Sequence, residues 1–221
     1  MSQAAPESLA TCSLGEIAAS LPGSTAVFRR HKLDFCCGGS ESLEQAARQK
    51  GLDPASIEAE LSRLSPQQDP IPENVEDLIG YILERYHQVH RREFPELRQL
   101  ASRVEQVHVD HPAVPAGLSA LLKRMEANLE SHMQKEEQVL FPMMLGGGNP
   151  MIVHPIGMMR HEHDECGDEL KELAALTNNM TTPADACNSW RALYAGLAKL
   201  AEDLTDHIHI ENNVLFPRFE G

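Results

Sequence analysis

A chain of 221 residues has room for one bundle of long helices and a small additional domain. Its net charge is −14 and its longest basic cluster is Arg29 to Lys32, so nucleic acid is not an expected partner, because phosphate binding needs a positive surface. No apolar run is long enough to cross a membrane, and Met1 to Ala10 lacks a basic segment followed by an apolar stretch. Neither a membrane anchor nor a secretory signal is therefore predicted.

Hydrophobic residues make up 42% of the chain and aromatic residues 5%, which favours helices around an aliphatic core. The cysteines are Cys12, Cys36, Cys37, Cys166 and Cys187. They are not expected to form a disulfide framework, and an odd number leaves at least one thiol free. Free thiols without a secretory signal are typical of a reducing compartment, so a cytoplasmic location is predicted.

The first region, residues 1–65, is predicted to be a small helical domain. Three short helices are expected: Leu14 to Ala19 together with Gly23 to His31, then Ser42 to Lys50, then Pro54 to Leu64. Asp53 and Pro54 indicate the start of the last one, as an N-cap and a first-turn proline. Residues 66–74 follow as a linker, because the proline-rich stretch Ser65 to Pro72 suits neither helix nor strand.

Residues 75–221 are predicted to form an up-down-up-down four-helix bundle, which makes the whole chain all-α. Breaks rich in Gly, Pro and Asn separate long amphipathic stretches, and such short connections place successive helices antiparallel. The predicted helices are Val75 to Val107, Pro115 to Leu145, Ile152 to Ala175 and Ala184 to Phe216.

One motif occurs twice in this region. His132 to Pro142 and, 75 residues later, His207 to Pro217 both read H-x-x-x-E-x-x-x-L-F-P. A histidine and a glutamate four residues apart share one helical face, so each copy presents an imidazole and a carboxylate together. A single copy is usually a solvated pair, but two copies in equivalent places favour a metal site between facing helices.

The other two helices supply one histidine each in matching positions. His87 precedes His132 by 45 residues, and His163 precedes His207 by 44. The predicted ligands are thus four imidazoles and two carboxylates: His87, His132, Glu136, His163, His207 and Glu211. Imidazole with carboxylate suits iron, manganese or zinc. We interpret the set as two non-haem iron ions bridged by both glutamates and by an oxo or hydroxo group.

Other polar residues near these ligands are given lesser roles. The histidines out of register with the ligand face are expected on the surface or in support of the ligands; they are His90, His161 and His209. The acidic residues that adjoin ligands are candidates to accept hydrogen bonds from the imidazoles; they are Glu137, Glu162 and Asp206.

The adjacent cysteines Cys36 and Cys37 precede two glycines at the end of a predicted helix. Glycines there are typical of a helix C-terminus, with cysteine as a small buried residue. We favour instead a pair of functional thiols on a flexible turn, available to bind and transfer a metal, to be oxidised, or to donate an electron. The spacing is not Cys-x-x-Cys, which excludes a thioredoxin-like site.

The chain resembles the di-iron iron–sulfur cluster repair proteins, also called repair-of-iron-centres proteins, over nearly its whole length. The resemblance rests on the segments Phe35 to Gly39, Arg85 to His87, Ser131 to Pro142, Glu162 to Glu165 and Asp206 to Pro217. It implies a small N-terminal domain with a vicinal cysteine pair, Cys36 and Cys37, followed by a hemerythrin-like bundle whose six ligands hold two iron ions. It also implies the repair of clusters damaged by nitrosative or oxidative stress, by iron donation or NO handling, with damaged iron–sulfur proteins and NO or O2 as partners.

Two other functions remain open: an NO-reducing di-iron enzyme, and a sensor or carrier that binds O2 or NO without turnover. Whether the chain is an enzyme is therefore left open, as is its oligomeric state, a homodimer included. Oxygen-carrying hemerythrins have a second histidine four positions along their third helix, where this chain has Gly167 after His163. One imidazole fewer leaves a more open site, which favours chemistry or iron release over oxygen storage.

Overall fold

The structure of the protein, a computed structural model, describes residues 8–21, 23–64 and 71–220. These residues form helices and turns, and the only extended pairing among them is an isolated antiparallel bridge between Ser13 and Ser42. The all-α prediction is therefore confirmed. No helix in the described ranges is both long enough and apolar enough to span a membrane.

The chain divides into two compact units. The N-terminal unit consists of the described parts of Met1–Ile71 and Asp206–Gly221, and the bundle unit of Pro72–Thr205. Residues 65–70, most of the proline-rich stretch Ser65 to Pro72, lie outside the described residues. The predicted boundaries 1–65, 66–74 and 75–221 stay a prediction.

Four short helices build most of the N-terminal unit: α1 (Leu14–Ser20), α2 (Ser24–Arg30), α3 (Leu43–Gln49) and α4 (Pro54–Leu61). Leu14 to Ala19 with Gly23 to His31, predicted as the first of three helices, forms two helices, α1 and α2, and the other two predictions each form one. The helix ends follow the capping chemistry. Ser13 and Glu16 form a reciprocal capping box at α1. Asp53 accepts a hydrogen bond from the Ala55 N–H in front of Pro54, as the sequence predicts.

The core of the N-terminal unit consists of the apolar faces of these helices and of the loop after α2. Its fully buried side chains include Leu14, Phe28, Phe35, Leu43 and Leu61. This core holds the loop before α3 against α1 through two backbone bonds of 2.8 Å: the Leu14 N–H donates to the Glu41 carbonyl, and the Gly15 N–H to the Gly39 carbonyl. The turn that carries Cys36 and Cys37, the cysteine turn, is thus fixed to a packed core at both of its ends.

The remaining helices are α5 (Val75–Ile82), α6 (Gln88–Val107), α7 (Leu118–Lys135), α8 (Phe141–Leu145), α9 (Val153–Leu176), α10 (Asn188–Ile210) and α11 (Pro217–Glu220). Helix α10 begins four residues later than the predicted Ala184. The reason is that the Arg191 guanidinium donates to the carbonyls of Ala184 and Ala186, which satisfies this segment outside the helix.

Polar pairs between helices show how the bundle unit runs. Along α6, Arg98 pairs with Glu126 and Arg91 pairs with Glu130, so α7 runs antiparallel to α6. Equivalent pairs join α7 to α9 (Arg124 to Glu172, His132 to Glu162) and α6 to α10 (Glu93 to Lys199, His108 to Cys187). The predicted up-down-up-down order of the helices follows from these directions.

An apolar core lies between the long helices of the bundle unit. It is built from Phe94, Leu97 and Ala101 on α6, Leu121, Leu122 and Met125 on α7, Leu173 on α9, and Trp190, Leu193, Leu197 and Leu200 on α10. All four long helices contribute to this core, which fixes their rotation about their own axes. Residues on the same faces, one or two turns beyond the core, are therefore held in a defined direction.

Asp203 on α10 is 4% exposed and lies between two cations. It accepts hydrogen bonds from Arg85 at 2.6 Å and from Lys199 at 2.7 Å. Burial raises the pKa of its carboxyl, but these two cations outweigh burial and hold the pKa below the usual value. We expect Asp203→Asn to lower the free energy of unfolding by about 1.5–3 kcal/mol in urea titrations at pH 7.

The pH dependence of this effect has a defined sign. Because the folded-state pKa of Asp203 is depressed, its contribution is present above about pH 4 and is lost as the pH falls further. The matched control is Asp168→Asn, because Asp168 and its partner Lys171 are both more than three-quarters exposed. This variant should change the free energy of unfolding by less than about 0.5 kcal/mol. Equal effects of the two variants would contradict the account.

Candidate metal centre

Three predicted metal ligands lie in π-helical turns, a backbone form that the sequence did not predict. The turns are Leu83–His87, Glu136–Leu140 and Glu211–Leu215. In the two copies of the repeated motif the Phe141 N–H donates to the Glu136 carbonyl and the Phe216 N–H to the Glu211 carbonyl, a five-residue step. In both copies a proline, Pro142 or Pro217, stands two positions after the turn and offers no N–H for an ordinary helical hydrogen bond. A π turn adds one residue to the helix and is frequent at functional sites.

These turns explain how the Leu-Phe-Pro sequences act. Pro142 does not end its helix, since it lies in the first turn of α8 directly after the π turn. Pro217 likewise begins α11. The repeated motif therefore encodes a repeated backbone irregularity at its glutamate, in addition to a repeated pair of side chains.

In the bundle unit, His132, Glu136 and His163 form a buried group. Ligand atoms of the three residues all lie within 4.8 Å of one another. The His132 Nε2 is 3.3 Å from the His163 Nε2 and 3.3 Å from a Glu136 carboxylate oxygen. Two nitrogen ligands at about 2.1 Å from one ion would be about 3.0–3.5 Å apart, so these spacings suit donors to a single metal.

His87 approaches the same glutamate from α6. Its Nε2 is 3.4 Å from a Glu136 oxygen, and both side chains are completely buried. The bundle unit thus gathers three of the four predicted imidazoles around one carboxylate. A buried carboxylate is costly unless a positive charge compensates it, and a metal ion is the usual source of that charge in such a donor set.

Outer carboxylates orient two of these imidazoles. Glu137 lies 2.8 Å from the His87 Nδ1, and Glu162 lies 3.0 Å from the His132 Nδ1. A proton on Nδ1 donated outward leaves the Nε2 lone pair directed inward, toward the carboxylate Glu136. Two of the three acidic neighbours singled out in the sequence therefore have the expected role, whereas the third, Asp206, pairs with Arg29 at 2.7 Å.

The charges of both outer carboxylates are stabilised by their neighbours. The pKa of Glu162 falls to about 2, chiefly through its hydrogen bond with His132, with Lys135 as a second partner. Burial raises the pKa of Glu137, but hydrogen bonds from Arg91 and His87 outweigh it and the net pKa is lowered. Both groups remain anionic at neutral pH and can hold the outward imidazole proton.

In the N-terminal unit, His207 and Glu211 form the second copy of the repeated pair. The His207 Nε2 is 3.0 Å from a Glu211 oxygen, and both side chains are almost fully buried. Their spacing of four residues and their π turn match those of His132 and Glu136. The two copies thus have the same local geometry.

The out-of-register histidines differ from one another. His161 is exposed, as expected. His90 is fully buried and stacks on Tyr86, with ring centroids 6.2 Å apart, so a surface position is wrong for it. His209 is also buried, against the edge of Phe35, and burial lowers its pKa to about 4. Of the two positions that the sequence left open for His90 and His209, on the surface or in support of the ligands, burial excludes the first.

The cysteine turn lies in the N-terminal unit; both of its thiols are half-buried, and neither is in a disulfide bond. The Cys36 Sγ is 3.9 Å from the Cys37 Sγ and 3.3 Å from an Asp34 oxygen, which also accepts the Cys37 N–H at 3.0 Å. The pKa of Cys36 is raised by its hydrogen bond with Cys37, by burial and by the negative charges of Cys37 and Asp34.

Asparagines from the π turn after Glu211 hold this cysteine turn. The Asn212 amide donates to the Cys36 carbonyl at 3.2 Å, and the Asn213 amide donates to the Phe35 carbonyl at 3.2 Å. No pattern in the sequence predicts this contact, although both asparagines lie inside the repeated motif. The turn that carries the thiols is thereby attached to the turn that carries a predicted ligand.

Gly39 permits this attachment, because an added Cβ would lie 2.7 Å from the Phe35 carbonyl oxygen and 2.8 Å from the Asn213 Oδ1. We expect Gly39→Ala to destabilise the protein by about 1–3 kcal/mol in thermal unfolding. In Gly157→Ala on α9 the new Cβ meets no atom within 4 Å, so the gain in helix propensity should stabilise by about 0.5–1 kcal/mol. An unchanged thermal stability of Gly39→Ala would show that Asn213 packs only loosely against the cysteine turn.

Buried histidine and glutamate pairs in an antiparallel helical bundle define a hemerythrin-type cation-binding protein. The profile described as hemerythrin HHE cation binding domain matches residues 78–219, and a domain of unknown function, ScdA_N (DUF542), matches residues 10–65. The iron–sulfur cluster repair protein YtfE of Musicola paradisiaca is 48% identical over 211 residues, which cover 93% of this chain and 95% of that protein. The proteins of the same name from Escherichia coli K12 and Shigella boydii are 47% identical over 210 residues, 93% of this chain and 94% of theirs. The chain belongs to this family of iron–sulfur cluster repair proteins.

Proposed function

We propose that this chain repairs iron–sulfur clusters damaged by nitrosative or oxidative stress, and that it does so with two iron ions. The observation that carries the proposal is the buried group His132, Glu136 and His163, with His87 beside it, in a chain 47–48% identical to proteins named for cluster repair. The proposed partners are damaged iron–sulfur proteins, with NO or O2 as small ligands, in the cytoplasm.

In the proposed centre all six predicted ligands would hold the two ions, with Glu136 and Glu211 as bridging carboxylates, two imidazoles for each ion and an oxo or hydroxo group between the ions. Support comes from the repeat: His207 and Glu211 have the same spacing, burial and π turn as His132 and Glu136. Imidazole and carboxylate donors without thiolate suit iron held for reaction or release better than a closed structural zinc site.

The protein's own contribution is orientation, charge and access. Glu137 and Glu162 hold the outward imidazole protons of His87 and His132, and burial keeps bulk water from the donor atoms. Gly167, four residues after His163, leaves open space where a fifth imidazole would stand in an oxygen carrier. The bound ions would supply a site for NO or iron for a damaged cluster.

The test combines spectroscopy with repair. Chain loaded with iron-57 should hold about two antiferromagnetically coupled ions by Mössbauer spectroscopy. When it is mixed without oxygen with an NO-treated iron–sulfur enzyme, that enzyme should recover activity. A single zinc ion, or no stoichiometric metal, would contradict the centre. Repeated consumption of NO with a reductant, without recovery of the damaged enzyme, would instead support an NO-reducing enzyme.

A further inference from the structure

The cysteine turn brings together three groups that ligate metals, at spacings that an ion requires. The Sγ atoms of Cys36 and Cys37 and a carboxylate oxygen of Asp34 all lie within 4.8 Å of one another. Two thiolates bound at about 2.3 Å to one tetrahedral ion are about 3.8 Å apart, and the observed Sγ to Sγ distance is 3.9 Å. The oxygen is 3.3 Å from the Cys36 Sγ, close to the equivalent edge between oxygen and sulfur.

The backbone around these groups holds them in this arrangement. A Cβ at Gly38 would lie 2.9 Å from the Asp34 carbonyl oxygen and 3.3 Å from the Asp34 side chain, so glycine lets Asp34 fold over the turn. The Cys37 N–H holds the Asp34 carboxylate at 3.0 Å. Asn212 and Asn213 hold the carbonyls on the other side of the turn. Little reorganisation is therefore needed for binding.

We propose that Asp34, Cys36 and Cys37 form a second metal site, which takes one divalent transition-metal ion through two thiolates and a carboxylate and leaves a fourth position open. Binding replaces the two thiol protons by one ion, M²⁺ + 2 RSH → M(SR)2 + 2 H⁺, with no change of oxidation state. The ion also neutralises the mutual repulsion of three groups that are anionic when they bind it. This site goes beyond the proposed function and does not rest on it, because none of its ligands belongs to the dinuclear set.

The test uses Co²⁺ as the probe, since sulfur-to-cobalt charge-transfer absorption reports thiolate ligands and is not produced by imidazole or carboxylate. The full chain, titrated with Co²⁺ under reducing conditions, should develop this absorption with about one ion per chain and release about two protons. Cys36→Ser and Cys37→Ser should each abolish most of it. Asp34→Asn should weaken Co²⁺ binding by about tenfold or more while the absorption remains.

Two matched controls decide the assignment. Cys12→Ser removes a half-buried thiol of the same unit, and Cys187→Ser removes an exposed thiol whose Sγ lies 3.2 Å from the His108 Nε2; neither should change the absorption. Loss of the signal in Cys187→Ser, or its survival when Cys36 and Cys37 are both replaced, would overturn the proposal. Far-ultraviolet circular dichroism shows that each variant is folded, and iron-57 spectra of the Cys36→Ser chain report the dinuclear centre separately.

Discussion

Glu136→Ala is expected to remove most of the iron from the protein. Glu136 is completely buried, and its Oε2 atom lies 3.3 Å from the His132 Nε2 and 3.4 Å from the His87 Nε2, so alanine leaves these imidazoles without a shared carboxylate. Loss of a bridging ligand should weaken iron binding by about 100-fold or more, since removal of outer groups alone costs 10–100-fold. Iron content and Mössbauer spectra of the iron-57 chain measure the effect.

Glu211→Ala should have an effect of similar size, because the repeat gives Glu211 the same relation to His207 at 3.0 Å. The control is Glu165→Ala on α9, two residues after His163 but with its side chain about two-thirds exposed. That variant should keep its full iron content. If all three chains bound iron equally, the repeated glutamates would only be packing residues.

Glu137→Gln and Glu162→Gln are expected to weaken iron binding by about 10–100-fold each without abolishing it. The reason is that an amide cannot hold the Nδ1 proton of His87 or His132 as an anion does, so the imidazole becomes a weaker and less well oriented donor. Iron dissociation constants from competition with a chelator, measured at neutral pH, give the size of the effect.

Glu130→Gln is the matched control for Glu137. Both glutamates bind Arg91, Glu130 at 2.8 and 3.2 Å and Glu137 at 2.8 Å, but only Glu137 reaches His87. If Glu137 acted on iron binding only through Arg91, Glu130→Gln and Glu137→Gln would lower the iron affinity equally. A role through the imidazole predicts that Glu130→Gln keeps the iron affinity of the unchanged chain.

Several helices and ligand positions of this protein could be predicted from local sequence patterns. Capping residues such as Asp53 and Pro54, and the breaks between long amphipathic stretches, predicted the helices because they act over a single turn of backbone. The repeat H-x-x-x-E predicted that His132 and Glu136 share a face. The matching spacings from His87 to His132 (45 residues) and from His163 to His207 (44 residues) predicted His87 and His163 as further ligands. In the bundle unit the structure brings these four residues together.

Other features depend on which surfaces meet. His90 and His209 are buried although helical periodicity places them off the ligand face. The hydrogen-bond partners of His87 and His132 stand far from them in the sequence. The same holds for Asn212 and Asn213, which bind the cysteine turn. The two π turns of the repeated motif could be predicted only in part. The proline after each turn is visible in the sequence, but whether the helix ends or widens there depends on the packing around it.

The sequence by itself determined the helices, the repeated His and Glu pairs and the vicinal thiols, because each follows from interactions within a few residues. Only the tertiary structure decided which carboxylates orient the imidazoles and that Asp34 joins Cys36 and Cys37. The physical reason is that metal ligation is set by distances of a few ångströms between side chains. Those distances are fixed when the apolar cores pack and rotate each helix into place.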